Sequence, residues 1–272
     1  MTAVRYTKNI LIYVCLIILA VIFAGPFIAM FLVAFQANPV TSARDIFNLN
    51  FTLSNFIRVF NESRLARWFL NSVITTGVVT VFGTFFSSLS AYVMAKKDFP
   101  GKELIFWLFL AVLMFPAHAW IIPMFIQMSR MGLVNTYWPF FLSGTSSAFG
   151  IFLLRQYIEQ NVVSDILEAA RIDGCGEFRT YFHIVLPTII PGLITLAIFL
   201  FIQWWGQFMF ALIMTTSGDM YTLPVGVALI RGVAQSNLRF VMATTAVAVL
   251  PSIVVFIFFQ NYLMRGVVMQ LD

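Results

Sequence analysis

Six stretches of the chain carry no Asp, Glu, Lys or Arg: about residues 10–35, 68–95, 104–129, 131–154, 188–214 and 240–264. Each reaches or exceeds the roughly 20 residues that a helix needs to cross a bilayer. All 27 charged side chains, 16 basic and 11 acidic, fall at the edges of these stretches or between them. The pattern predicts an all-α polytopic membrane protein with six transmembrane helices. Arg5 and Lys8 precede the first stretch, as they would in a secretory signal. That stretch continues to Phe35, however, well past the roughly 7–15 residues of a signal core. It is expected to stay in place as a helix, bent at Gly25-Pro26.

The connections differ in character. Residues 36–67 form a loop in which Ser54 is placed to cap a short helix carrying Phe56 and Phe60 on one face. Residues 96–103 make a tight turn around Pro100-Gly101, and 215–239 a second loop with Gly218, Asp219 and Pro224. The segment 155–187 holds the densest charge, with Glu168, Arg171, Asp173 and Glu177 inside ten positions. It reads as two short helices. Asp165 would cap the first, with Glu168 three residues on, Ile166, Leu167 and Ala170 forming its apolar face and Gly174 ending it in a left-handed conformation. The second would run from Glu177 to Leu186, with Phe178, Tyr181, Phe182 and Val185 at helical spacing, until Pro187 stops it. Within the stretch 68–95, Gly83, Ser87 and Ala91 recur every four residues. This small-residue spacing lets another helix approach closely in lipid, and the face is expected to await a partner, leaving the lone chain poorly stable.

Composition agrees with the pattern. The chain is 61% apolar and 10% charged, with a mean hydropathy of +0.93, against about 45–50% apolar and 25% charged in soluble domains. The net charge is +5, but no basic run exceeds Lys96-Lys97. The positive residues therefore read as determinants of topology rather than nucleic-acid contacts. With a cytoplasmic N-terminus, nine of the 16 basic residues lie inside, the lysines of the turn KKDFPGK at 96–102 among them. Cys15 and Cys175 read as free thiols, and no metal-ligand spacing occurs. No catalytic or cofactor-binding constellation is visible either. A phosphate-cradling Gly-x-x-x-x-Gly-Lys-Ser/Thr loop is missing, so ATP hydrolysis would need another polypeptide. An ion-coupled secondary transporter wants charged groups inside its spans, and here His118 is the one candidate. It is either a neutral histidine bonded inside the bundle or a group lining a pathway.

The segment EAARIDGCGEFRTYFHIVLP, residues 168–187, resembles the signature cytoplasmic loop of type I ABC importer permeases. In that signature Glu-Ala-Ala, a Gly and a final Ile-x-Leu-Pro recur at fixed spacing; here they are Glu168, Ala169, Ala170, Gly174, Ile184, Leu186 and Pro187. Asn71-Ser72, the stretch IIPMFIQMSRMGLVNTYW at 121–138 and LPVGVAL at 223–229 carry the resemblance along the chain from about residue 50. It points to the carbohydrate-uptake branch, similar to the six-helix permeases of maltose-type and glycerol-phosphate-type importers. Trp205-Gly206-Gln207-Phe208, Ala211 and Cys175 depart from the branch's usual residues.

The resemblance implies a type I ABC importer permease fold with a coupling-helix loop, 155–187, in the cytoplasm between helices 4 and 5. Residues 1–66 would form the first helix and an external loop, 67–264 the permease core and 265–272 a short cytoplasmic tail. Glu168, Ala169, Ala170, Arg171, Asp173 and Gly174 would couple the chain to an ATPase, with Glu168 pairing with a basic group there. The implied partners are a second permease subunit forming a heterodimer, two ATPase subunits that bind the ATP and Mg, an extracytoplasmic solute-binding protein and the lipid bilayer. The implied site of work is the cytoplasmic (inner) membrane of a bacterium or archaeon, with both termini in the cytoplasm. The solute would be a sugar or polyol moved by ATP-driven alternating access, or glycerol 3-phosphate or another phosphorylated glycerol compound. His118, Trp120, Trp204, Trp205 and Gln207 are candidates to line the path, since aromatic faces and amides suit sugars; ordinary helix packing is the alternative for each.

Overall fold

Helix α1 (Thr2–Phe35) takes up the whole first apolar stretch, and Pro26 lies inside it without ending it. Helix α2 (Ser54–Glu62) leads into α3 (Leu65–Lys96), 32 residues without an internal proline. The third stretch divides into α4 (Lys102–Met114) and α5 (Ile121–Arg130). The fourth yields α6 (Trp138–Gly144) and α7 (Ala148–Asn161). The polar segment holds α8 (Ser164–Ile172), α9 (Glu177–Thr180), a π turn at Tyr181–Val185 and α10 (Leu186–Thr188). After α11 (Ile190–Trp205) and α12 (Met209–Met214) come α13 (Leu223–Val233) and α14 (Leu238–Val268). The computed structural model describes residues 2–40, 42–47, 50–116, 118–233 and 237–268. Among them no strand occurs, and one isolated bridge joins Gln36 to Phe51. The end of the expected tail, residues 269–272, lies outside the described residues.

The breaks explain why three of the six apolar stretches are not single helices. Among the described residues three helices are long and apolar enough to cross a membrane alone, Ile12–Phe35, Leu65–Lys96 and Leu238–Gln260. A fourth crossing is available if Glu177–Thr188 and Ile190–Trp205, bent by 79° at their junction, count as one. Pro116 pushes Phe115 out of the helical region (ψ 133°), as a proline does to the residue before it. Gly132 and Asn135 both hold positive φ (68° and 64°) in the loop before α6, so the fourth stretch begins as a loop rather than a helix. Extended Ser147 restarts the helix by capping α7, its hydroxyl accepting the Gly150 N–H at 3.0 Å.

Two compact units emerge, residues 1–66 with 226–250, and residues 67–225 with 251–272. In the first, Asn55 closes the end of α1, donating to the carbonyls of Ala34 (2.9 Å) and Gln36 (2.8 Å), groups that a helix terminus leaves without partners. The buried positions of α2 are Asn55 and Val59; Phe60 is exposed, and Phe56 packs on Phe35 with ring centroids 4.7 Å apart. Ser54 does not cap α2 as expected, because Leu53 occupies the cap position and the Ser54 hydroxyl accepts a bond from Thr52.

In the second unit α3 is the central element. Its small-residue face does not wait for another subunit: a methyl on Gly83 would come within 3.0 Å of the Gly144 carbonyl and 3.1 Å of Leu200. Ser87 bonds the Ser147 carbonyl, and Ala91 is fully buried in a core with Leu154, Ile158, Leu167, Leu196 and Leu200. The stripe is filled by the chain's own helices. At the Leu65 end, Asn71 donates to the carbonyls of Asp219 (2.8 Å) and Tyr221 (2.9 Å) and accepts from the Tyr137 hydroxyl (2.7 Å). Next to it, Ser72 accepts the Leu223 N–H at 2.8 Å and Trp68 donates to the Gly218 carbonyl at 2.8 Å.

This packing makes some glycines indispensable and others idle. A Cβ on Gly144 would lie 2.5 Å from both methyls of Val79 and 2.9 Å from Trp204, whereas one on Gly25 would meet nothing within 4 Å. Valine's side chain is stiff in a helix and cannot swing aside. Gly144→Ala should therefore destabilise the protein by about 1–3 kcal/mol, read as a lower melting temperature in detergent, while Gly25→Ala leaves it unchanged or slightly higher.

Candidate functional site

Three helix interruptions meet around one cavity of about 1140 Å³. The break between α4 and α5 brings Phe115, His118 and Trp120; the break between α6 and α7 brings Ser146 and Ser147; the break after α11 brings Gly206 and Gln207. Gln203, Trp204, Phe149 and Phe199 complete the wall. Among the described residues no Asp, Glu, Lys or Arg lines it. Its polar groups are a histidine, two amides and hydroxyls, all able to donate and accept hydrogen bonds while uncharged. Phe210 holds two of the indoles in place, its ring 5.7 Å from Trp120 and 5.9 Å from Trp204, and is itself 1% exposed.

Four of the five path candidates, His118, Trp120, Trp204 and Gln207, are thus brought together. Trp205 is not. One residue further along a helix turns a side chain by about 100°, and Trp205 points into the core, 5% exposed, against Phe201 at 5.5 Å and Phe69 at 5.8 Å. Gln203 and the Ser146-Ser147 pair belong to the same wall and were missed. The signal for Gln203 was present: it is an amide four residues before Gln207.

The polar segment forms a second candidate site. Helix α8 begins after extended Val163, with no side chain capping it; Asp165 sits two residues past the cap position and instead puts its charge in the first turn, where the helix dipole favours it. The end is as expected. Gly174 has φ 78°, and the Cys175 and Gly174 N–H groups bond the Ala170 and Arg171 carbonyls (2.9 and 3.0 Å), the paired closure that a left-handed residue permits. Leu167 and Ala170 are buried against the unit's core. Glu168, Ala169, Arg171 and Asp173 face outward beside Ile172 (86% exposed) and Phe178 (73%). The Glu168 side chain makes no hydrogen bond or ion pair among the described residues.

The second helix of the segment begins at Glu177 as expected and departs from expectation at its end. Pro187 does not stop it. The π turn at Tyr181–Val185 widens the spiral, and the helix continues to Thr188 before bending at Ile189. Such a turn relieves the clash between a proline ring and the carbonyl four residues earlier. Only Tyr181 and Val185 of the four expected apolar positions are buried; Phe178 and Phe182 are exposed. Glu177, at its start, is the local hub. It accepts the Tyr92 hydroxyl at 3.1 Å, pairs with Lys97 and lies 3.7 Å from Arg171. One turn on, the Tyr181 hydroxyl and Ser88 share a bond of 2.5 Å. Among the described residues no group of His, Cys, Asp and Glu could hold a metal.

Residues 83–269 match the family model described as the binding-protein-dependent transport system inner membrane component. The arabinooligosaccharides transport system permease protein AraQ of Halalkalibacterium halodurans is 37% identical over 216 residues, 79% of this chain and 77% of that one. The trehalose/maltose transport system permease protein MalG of Thermococcus litoralis is 32% identical over 264 residues, 95% of each chain. The same fold occurs in the crystal structure of a bacterial ABC transporter involved in the import of the acidic polysaccharide alginate, with a TM-score of 0.83 at 23% identity over 94% of this chain and 96% of that one. The chain belongs to the inner membrane components of binding-protein-dependent transport systems, the permease subunits of ABC importers.

Proposed function

We propose that this chain is the permease subunit of an importer for an oligosaccharide or related uncharged solute, working by ATP-driven alternating access. The observation that carries the reading is the meeting of three helix breaks around a charge-free cavity lined by Trp120, Trp204, His118, Gln203 and Gln207. In hydrocarbon, irregular backbone is tolerated where it is buried in protein or lines a water-filled space. Transporters use such broken helices to hold solute near the bilayer midplane. Counted this way, α4–α5, α6–α7 and α11–α12 each make one crossing, and with α1, α3 and α14 the chain crosses six times. Relatives named for arabinooligosaccharides and for trehalose and maltose support a saccharide. A phosphorylated glycerol compound would call for cationic partners, and the wall offers no Lys or Arg.

The partners follow from what the chain lacks and exposes. It holds no nucleotide-binding loop, so two ATPase subunits supply the hydrolysis, and a second permease subunit and an extracytoplasmic binding protein complete the importer. The α8 segment is the dock for an ATPase, in the cytoplasm together with both termini. Its inner face is anchored on the core, its outer face carries Glu168, Arg171 and Asp173 beside exposed Ile172, and its C-terminal end is closed at Gly174. A rigid helix of this kind transmits a displacement that a loose loop would absorb.

Uptake into proteoliposomes holding the assembled importer tests the energy source. Import should survive collapse of the proton gradient and stop without ATP; the opposite result would return the ion-coupled reading. Glu168→Lys sets two like charges against each other in the dock, at a cost of roughly 2–5 kcal/mol if the pair is desolvated. Assembly, or the link between ATP hydrolysis and import, should fail while the helices still insert; normal import with normal stimulation of hydrolysis rejects the dock. The two adjacent tryptophans should separate cleanly. Trp204→Ala should raise the half-saturating solute concentration about tenfold, the equivalent of ~1.4 kcal/mol. Trp205→Ala should instead lower stability by about 3–5 kcal/mol as a core cavity forms.

A further inference from the structure

Helix α3 is held by polar contacts at both ends, and the two sets are of different kinds. At its Lys96 end they form a ladder with the α9 segment. Ser88 and Tyr92 lie four residues apart on α3, and Tyr181 and Glu177 lie four residues apart on the other strand of the ladder. The rungs are the 2.5 Å bond between Ser88 and Tyr181 and the 3.1 Å bond from Tyr92 to Glu177, with Lys97 closing on the same carboxylate. The two tyrosine rings pack against each other between the rungs, tilted by 40° with centroids 5.7 Å apart. Both rungs tie α3 to the segment that follows the α8 dock, and Arg171 of α8 itself leans on Glu177. At the Leu65 end, Asn71 clasps the loop 215–223 and the Tyr137 hydroxyl. Between Asn71 and Tyr92 the helix is uninterrupted over about 30 Å at 1.5 Å per residue, about the thickness of the hydrocarbon core.

We infer that α3 is a transmission strut: movement of the α8–α9 segment reaches the loop 215–223 on the opposite side of the membrane through the Ser88–Tyr181 and Glu177 rungs, along α3 and into the Asn71 clasp. An α-helix is stiff along its axis, so a displacement imposed on the ladder appears at the clasp. The alternative route through α11 is compliant, since it passes the π turn and a 79° bend at Ile189. The strut rests on the reading that α8 docks an ATPase.

Two conservative variants test it in the assembled importer reconstituted in proteoliposomes, with import and ATP hydrolysis measured together. Tyr181→Phe removes one rung but keeps the ring in the core, and Ser88 retains its bond to the Phe85 carbonyl at 2.8 Å. Tyr137→Phe removes one contact of the clasp and keeps the stack on Phe141 at 6.1 Å. Each should lower the solute imported per ATP several-fold, and the pair about tenfold, which corresponds to about 1.4 kcal/mol of lost coupling. A purely structural role would reduce import and hydrolysis in proportion, by reducing the number of active complexes. A wild-type ratio in either variant, or a proportional loss in both, overturns the strut. Glu168→Lys run in parallel keeps the two ideas apart. If it imports normally, the dock has failed; if it is inactive while both tyrosine variants keep the wild-type ratio, only the strut has failed.

Discussion

A peptide group in hydrocarbon has no water to bond with, so every interruption of a membrane helix must find polar company inside the protein. Among the described residues of the second unit, three helix breaks, at Phe115–Trp120, Thr145–Ser147 and Gly206–Phe208, are gathered around one space. The backbone requirement and the polar lining of the cavity thus have a common solution. Groups that could not be left in lipid become the wall of a cavity, and the aromatic residues beside them supply flat apolar faces. Close packing behind the wall follows from the same requirement. Gly83, Gly144 and Gly150 carry no side chain because neighbouring atoms already occupy the space where one would go.

Charge exclusion made the apolar stretches legible in the sequence, because a charged side chain in lipid is costly wherever it points. Local backbone demands were legible too. Gly174 was readable as a helix terminator because a left-handed residue is a property of a few adjacent positions. Phase was not. In a stretch that is apolar on every side, nothing in the sequence says which of Trp204 and Trp205 faces the cavity, since both would be equally comfortable in lipid or core. The small-residue stripe was read correctly as a close-packing face but assigned to the wrong neighbour, since spacing does not say whether the approaching helix belongs to the same chain. The Glu177 hub joins residues 80 positions apart, and no pattern within a window of either residue announces it. At Pro187 a sound local rule was overruled, because the π turn upstream removed the clash on which the rule depends.

The segment around α8 combines anchoring with availability. Its buried side shares a core with α3, α7 and α11 through Leu167, Ala91, Leu154 and Leu196, so it is held in place against those helices. Its outer side keeps a carboxylate without a partner among the described residues, next to isoleucine and phenylalanine side chains in contact with solvent. Burying that surface against another protein removes apolar area from water and gives Glu168 a chance to pair. The same surface left bare would be a liability, which fits a subunit that lives in an assembly.

The π turn at Tyr181–Val185 has a consequence for how such a protein can change over time. A π turn holds one residue more than the α-helix around it, and its wider spiral absorbs that residue locally, so the segment at the Ser88–Tyr181 bond and the helix beyond the turn keep their relative phase. A residue gained or lost in regular helix has no such buffer and rotates everything beyond it by about 100° relative to everything before it. Gly192, where a Cβ would lie 3.0 Å from the Tyr157 ring, would then give way to a neighbour that carries a side chain. The turn is where this part of the chain can change its length by one residue and leave such contacts in place.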